Sequence, residues 1–295
     1  MKRFPEESEG RSSAMEELAP SDLARILPLV PPHDEAGHMT FVHSVIDGRM
    51  PGRVLVDERA DPRTALVLTA SGFHFAIGRP DAALVDAVVP ELLAGEGRNE
   101  PAALWTTSRA WEGALDHIFV ARSTRKEFKR DTGREPTSVR PLPAECRLVP
   151  LDAAIAARLG ETTDDWLLRA WGGVASFVAH AFGVAVLQGD EIASFCAACA
   201  IGDGEAEVEV ETAPRRRRQG LATHAALGFF ADCRRRGLRP AWTCGSNNRP
   251  SDHLARRLGF RPVRYVVGYP LRPGMERHDG RWVLPTRQVR RRRRR

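Results

Sequence analysis

The stretch that decides the fold runs from Glu205 to Val267 and reads EAEVEVETAPRRRRQGLATHAALGFFADCRRRGLRPAWTCGSNNRPSDHLARRLGFRPVRYVV. Glu207, Val208, Glu209, Val210, Glu211 and Thr212 alternate acidic with mostly β-branched residues, so one face of a strand seeks a core and the other a polar cleft. Pro214 and an arginine run, Arg215 to Arg218, then lead into Gln219, Gly220, Leu221 and Ala222, where a helix begins. Unpartnered backbone N–H groups and the positive end of the dipole make such a turn an anion site. Gly220 has no Cβ, so a phosphate can approach the backbone. Ala222, Ala225, Phe229 and Cys233 form one apolar side of the helix, Arg234 to Arg236 complement the dipole at its end, and Gly237 stops it. A short strand at about 240–244, a capped helix after Asn248, a stop at Gly259 and a strand through Val267 complete the stretch.

Two parts of this stretch resemble the signatures of the GNAT N-acetyltransferase superfamily. Arg217, Arg218, Gln219, Gly220, Leu221 and Ala222 fit R/Q-x-x-G-x-G/A. Asn248, Ser251, Leu254, Leu258, Gly259 and Phe260 fit N-x-x-A/S-x-x-L-x-x-x-L-G-F. Each motif alone is weak, but both together, in order and with strand, helix and strand in place, are specific. More narrowly, Trp171-Gly172, Phe177, Gly183 and Glu211-Thr212, behind an N-terminal α/β half, resemble the GNAT subfamily that contains the zwittermicin-resistance acetyltransferases, over most of residues 40–268.

The resemblance implies an α/β (α+β) fold: a mixed, centrally antiparallel sheet with helices on both faces, preceded by a smaller α/β half. It also implies acetyl-CoA as co-substrate. The pyrophosphate would lie on the N–H groups of Arg218 to Ala222 with Arg215 to Arg218 as counter-charge, although a solvated loop also accounts for a charge run. Pantetheine amides would pair with backbone groups at Val210 and Thr212. Asn248 and Ser251 would complete the clamp, and plain helix capping is a compatible role for Asn248.

Transfer to an amine needs the neutral nucleophile. For a lysine-like amine that costs about 4.6 kcal/mol at neutral pH, so a base or a water chain is expected. Glu209 and Glu211 are the candidates. For each one singly, the polar side of an exposed strand explains the carboxylate equally well, and the residues alone do not choose between them. A strand N–H near Val210 would polarise the thioester carbonyl. Many superfamily members carry a tyrosine acid after the leucine of the second signature, where this chain has Ala255. The thiolate then leaves unaided, or with help from Ser251 or His253.

Outward from this stretch, residues 1–20 are polar and expected to be disordered. Residues 21–143 read as an α/β half: a helix at 22–27 cut by Pro28, a second near 38–46, strands at 53–57, 65–69 and 72–77, a helix at 81–94, a strand at 102–107, a helix at 110–119 and an extended segment at 123–129. A Pro-rich linker at 133–143 closes it. The second half, 144–272, opens with a strand at 146–151, helices at 153–159 and 164–181, and strands at 184–188 and 191–200. Residues 273–295 read as an arginine-rich tail. Its last six residues, Arg290 to Arg295, supply the whole formal charge of +6, so the rest of the chain sums to zero. The folded part is therefore not expected to bind nucleic acid; only the tail has that chemistry.

Five cysteines in no framework spacing, no signal-like apolar start and no long apolar run point to a reducing cytoplasm without a membrane span. Cys196-x-x-Cys199 has no second pair at zinc distance, so no metal is expected. The expected activity is acetyl transfer from acetyl-CoA to a primary amine of a small molecule, by direct attack in a ternary complex. A protein or peptide amine as acceptor, and a non-catalytic CoA-binding sensor or scaffold, are the alternatives.

Overall fold

The computed structural model describes residues 15–32, 39–94, 102–131, 140–162 and 165–285. Short apolar runs between turns make β1 Glu16–Glu17, β2 Gly52–Val56, β3 Thr64–Thr69 and β4 Phe73–Gly78, with a 3-10 helix Pro20–Leu29 and α1 Thr40–Ile46 before β2. The crossover helix α2 Ala82–Ala94 leads to β5 Ala102–Thr106, and α3 Arg109–Leu115 leads to β6 Ser123–Arg130. A second series follows: β7 Cys146–Pro150, then the short helices α4 Ala153–Ala156, α5 Leu159–Thr162, α6 Trp166–Ala170 and α7 Val174–His180. After them come β8 Gly183–Gln188, β9 Glu191–Gly202, β10 Glu205–Thr212, the crossover α8 Leu221–Arg235, β11 Arg239–Gly245, α9 Arg249–Arg257 and β12 Phe260–Leu271.

Among the described residues, twelve strands form one sheet in the order β1-β2-β3-β4-β5-β12-β6-β11-β10-β9-β8-β7. Of these strand pairs, β4 with β5 and β10 with β11 run parallel, and they are the pairs joined by helical crossovers. The chain thus has the expected mixed α/β architecture with a largely antiparallel centre flanked by helices. One core gathers Trp171, Phe177, Phe195, Phe229 and Phe260. A second, under α2 and α3, holds Val85, Leu104, Trp111 and Tyr269.

The closing strands of the two series change places. β6 ends the first series but pairs with β11, from Trp242↔Phe128 to Gly245↔Arg125. β12 ends the second but pairs with β5, from Gly268↔Trp105 to Leu271↔Ala102. The two exchanged strands lie side by side in the middle of the sheet. The charged sequence of β6, STRKEFKR, is held there by neighbours from the second series: Lys126 pairs with Asp252 of α9, and the buried Glu127 with Arg264 of β12 at 3.3 Å. Phe128 between them is fully buried.

Several boundaries differ from the sequence reading. The expected disordered start ends sooner, because Glu16–Glu17 pair with β2 and Leu18 is buried; residues 1–14 lie outside the described residues. The helix expected at 22–27 runs through Pro28 as a 3-10 helix, whose i to i+3 bonding lets it end one residue beyond the proline. The helix expected at 164–181 is two helices, α6 and α7, because Gly172 and Gly173 take φ of +78° and +113° and break the ladder between them. The expected tail begins with an ordered hairpin, β13 Glu276–His278 and β14 Arg281–Val283. Its Trp282 donates to Asp86 at 2.8 Å, and Met275 is buried. Most of the expected linker, at 132–139, and the arginine run 290–295 lie outside the described residues.

Candidate active site

β10 and β11 pair only at their start, from Glu205↔Arg239 to Glu207↔Ala241. Beyond Glu207 they part, β10 keeping β9 on its other side while β11 follows β6. A groove of about 650 Å³ opens on one side of this gap. Val210 and Thr212 from β10, Arg217, Arg218, Gly220, Leu221 and Ala222 from the start of α8, and Asn248 and Ser251 from the start of α9 all line it. Gln219 does not; its side chain is exposed beside the groove. Arg216 also lines the groove, with its guanidinium held by Glu191, to which it donates at 2.6 Å and 3.0 Å.

The turn into α8 is shaped for an anion. Gly220 has φ +84°, and a Cβ placed on it would meet nothing within 4 Å. Among the described residues, the backbone N–H groups of Arg218 to Ala222 donate to no carbonyl or side chain, and α8 has no side-chain cap. Open space, unused donors and a dipole end therefore coincide, and they fit a pyrophosphate. Asn248 caps α9, its Oδ1 accepting the Ser251 N–H at 3.2 Å. The Ser251 hydroxyl accepts from Trp242 Nε1 at 3.1 Å, which ties it to the interior.

On the other side of the gap lies a cavity of about 520 Å³ whose walls come from both series. Glu209 and Glu211 stand on its β10 wall, and Glu211 also lines the groove. Phe73, Trp105 and Trp166 give it an aromatic wall, and Arg125 and Arg272 are its cations. Arg125 comes from the exchanged strand β6. It lies 4.8 Å from the Phe73 ring centroid and donates to Thr243 Oγ1 at 2.9 Å. Thr243 Oγ1 in turn donates to the buried Glu207 at 2.8 Å. Burial, and next the charge of Glu211, push the Glu209 carboxyl up to about 8, against the pull of Arg125. A carboxylate tuned there is suited to exchange protons near neutrality.

The structure also bears on the expected acid. Ala255, at the position where the resemblance leads one to expect a tyrosine, is fully buried. Neither of the chain's two tyrosines lines either space: Tyr265 is exposed, and Tyr269 is buried and donates to Asp116 at 2.9 Å. His253 does line the groove, next to Leu254. Cys196 and Cys199 are buried in β9, and burial pushes both thiols up. Among the described residues no three His, Cys, Asp or Glu side chains cluster as metal ligands, and no helix is long and apolar enough to cross a membrane.

The family model described as GNAT acetyltransferase matches residues 33–269. This chain belongs to the GNAT acetyltransferase family. Acetyl-CoA-dependent acyl transfer is the family's chemistry, and the chain is an enzyme of that class. A Bacillus subtilis relative named "Uncharacterized N-acetyltransferase YdfB" is 28% identical over 236 residues, which cover 78% of this chain and 90% of the relative. A GCN5-related N-acetyltransferase-like protein from Streptococcus suis has the same fold, with a TM-score of 0.64 at 23% identity over 85% of this chain and 99% of that one. A tandem GNAT protein from the clavulanic acid biosynthesis pathway gives 0.58 at 13% identity, over 87% and 98%.

Arg125, Arg272, Phe73, Trp105 and Trp166 were not among the site residues read from this GNAT sequence. They lie on strands or helices that carry no motif, and only the exchange of β6 and β12 brings the two arginines to the cavity. Nothing in the local sequence of either marks it.

Proposed function

We propose that the enzyme transfers the acetyl group of acetyl-CoA to a primary amine of a small molecule, by direct attack in a ternary complex. The observation that carries this reading is the position of Glu211, shared by an anion-ready groove and an aromatic cavity on opposite sides of one gap in the sheet. Arg217 to Ala222 hold the pyrophosphate, the β10 backbone at Val210 and Thr212 holds the pantetheine, and Asn248 and Ser251 shape the far wall. Residues 21–143 supply Phe73, Trp105 and Arg125 to the acceptor wall, and residues 144–272 supply Trp166, Glu209, Glu211 and Arg272 to it together with the acetyl-CoA side.

Glu209 is the general base. It takes a proton from the bound ammonium, the freed nitrogen attacks the thioester carbonyl carbon, and the C–S bond breaks as the C–N bond is kept. The attached nitrogen gives up its second proton to solvent as the intermediate collapses, and His253 or solvent passes a proton to the thiolate, whose modest basicity makes a strong acid unnecessary. The resemblance to the zwittermicin-resistance subfamily, and an acceptor space bounded by two halves of one chain, both favour a small molecule over a protein surface.

Calorimetric titration with acetyl-CoA and with CoA at two salt concentrations tests the groove, and thiol release with an amine panel tests the transfer. One salt-sensitive site per chain and amine-dependent thiol release are expected. Absence of binding would overturn the reading, and binding without amine-dependent thiol release would leave the CoA-binding sensor or scaffold.

A further inference from the structure

The acceptor cavity carries a cation that no described residue of the protein uses. Arg272 lines it just past the end of β12. Its Nη1 is shut off from solvent, and among the described residues its guanidinium donates to no acceptor and faces no carboxylate within ion-pair reach. Elsewhere in the sheet Glu127 has Arg264 and Asp252 has Lys126, and the cavity's other cation, Arg125, has Thr243. A half-buried guanidinium with an idle, shut-off Nη1 is costly to keep unless a ligand completes it.

Its placement says where that ligand group sits. Going from β12 to β10 crosses β6 and β11: two ladder steps of ~4.8 Å each, and then the gap where β10 and β11 part. Arg272 is thus separated from Glu209 and Glu211 across the sheet, and Phe73, Trp105 and Trp166 line the same cavity. Cation, aromatic wall and carboxylates call for complementary groups in the acceptor.

Resting on the amine-acetyltransferase reading above, we propose that Arg272 binds an anionic group of the acceptor. The substrate is then a zwitterion: an amine at Glu209, an aromatic or apolar body against Phe73, Trp105 and Trp166, and a carboxylate or phosphate at Arg272. A guanidinium fork suits either anion.

Three matched probes test this: tyramine, tyramine phosphate and 4-(2-aminoethyl)benzoate. Binding is followed by tryptophan fluorescence, since Trp105 and Trp166 line the cavity, and turnover by thiol release. At least one anionic probe should bind and show a KM tenfold or more below tyramine, and the better of the two identifies the group. Arg272→Gln should erase that difference while leaving tyramine and acetyl-CoA affinities within twofold, and Arg272→Lys should restore part of it. Equal affinity for all three probes, or a preference that survives Arg272→Gln, overturns the proposal. Arg272→Gln should not lower the melting temperature; a clear drop would mean a structural arginine and would also overturn it. Failure of acetyl-CoA to bind would instead strike the functional reading, because probe binding is measured without turnover.

Discussion

The two parallel crossovers share a topology and differ in almost everything a ligand would notice. β4 and β5 stay paired from Phe73↔Ala103 to Ala76↔Thr106, whereas β10 and β11 part after their third pair. α2 starts behind Asp81, whose carboxylate accepts the Leu84 N–H at 3.1 Å. α8 starts behind Gly220 with no cap at all. One helix start has spent an idle donor on an internal anion, and the negative charge repels any other. The second keeps its donors for a visitor. A strand pair that opens and a cap residue that is missing, rather than the crossover itself, turn this topology into a site.

The largest effect should come from closing the open crossover. Gly220→Trp fills the groove at the phosphate turn, and calorimetry should find acetyl-CoA binding at least a hundredfold weaker. The matching change in the closed crossover, Asp81→Gly, should leave that affinity within twofold. A loss of binding in the Asp81 variant would break the contrast.

Next in size is Glu209→Gln. It should lower kcat about a hundredfold with little change in acetyl-CoA affinity. Wild-type kcat/KM should rise with pH through about 8, where the carboxyl loses its proton, and that limb should vanish in the variant. Stability sharpens the test. The folded state holds this proton more tightly than the unfolded chain, so wild-type stability falls as pH climbs from the ordinary 4.5 to about 8. Glu209→Gln lacks that loss, so it should melt above wild type at about pH 9 and level with it at about pH 4.

Smaller effects separate positioning from chemistry. Asn248→Ala should cost about 1 kcal/mol of stability through the lost cap and weaken acetyl-CoA only a few-fold. His253→Ala should change kcat less than threefold in a thiol-release assay, since a thiolate leaves without much help.

The contrast between the crossovers also marks what could be read in the sequence. The open one was legible because its requirements are local: alternation on β10, arginines and Gly220 at one turn, Asn248 three residues before Ser251. Each of these has its physical reason within a few residues of itself. The closed half held no such turn, and its strands were found mostly by their apolar runs. What local reading could not reach was partnership. Arg125 in STRKEFKR looks like a solvated segment until β11 and β12 flank it, and Arg272 looks like the beginning of a tail. The Trp282 hairpin was missed for the same reason, since its hold on the fold is a bond to Asp86, nearly two hundred residues earlier.

The exchanged strands also set a timetable for synthesis. β5 is complete at Thr106, but the strand that covers it begins at Phe260. At ~5–20 residues per second, the apolar edge Ala102–Thr106 waits roughly 8 to 30 s for its neighbour on the ribosome. During that interval the growing chain offers an unpaired strand to any other chain nearby. A nascent polypeptide built this way depends on whatever shields that edge, and expression at high ribosome density should favour inclusion bodies over folded enzyme.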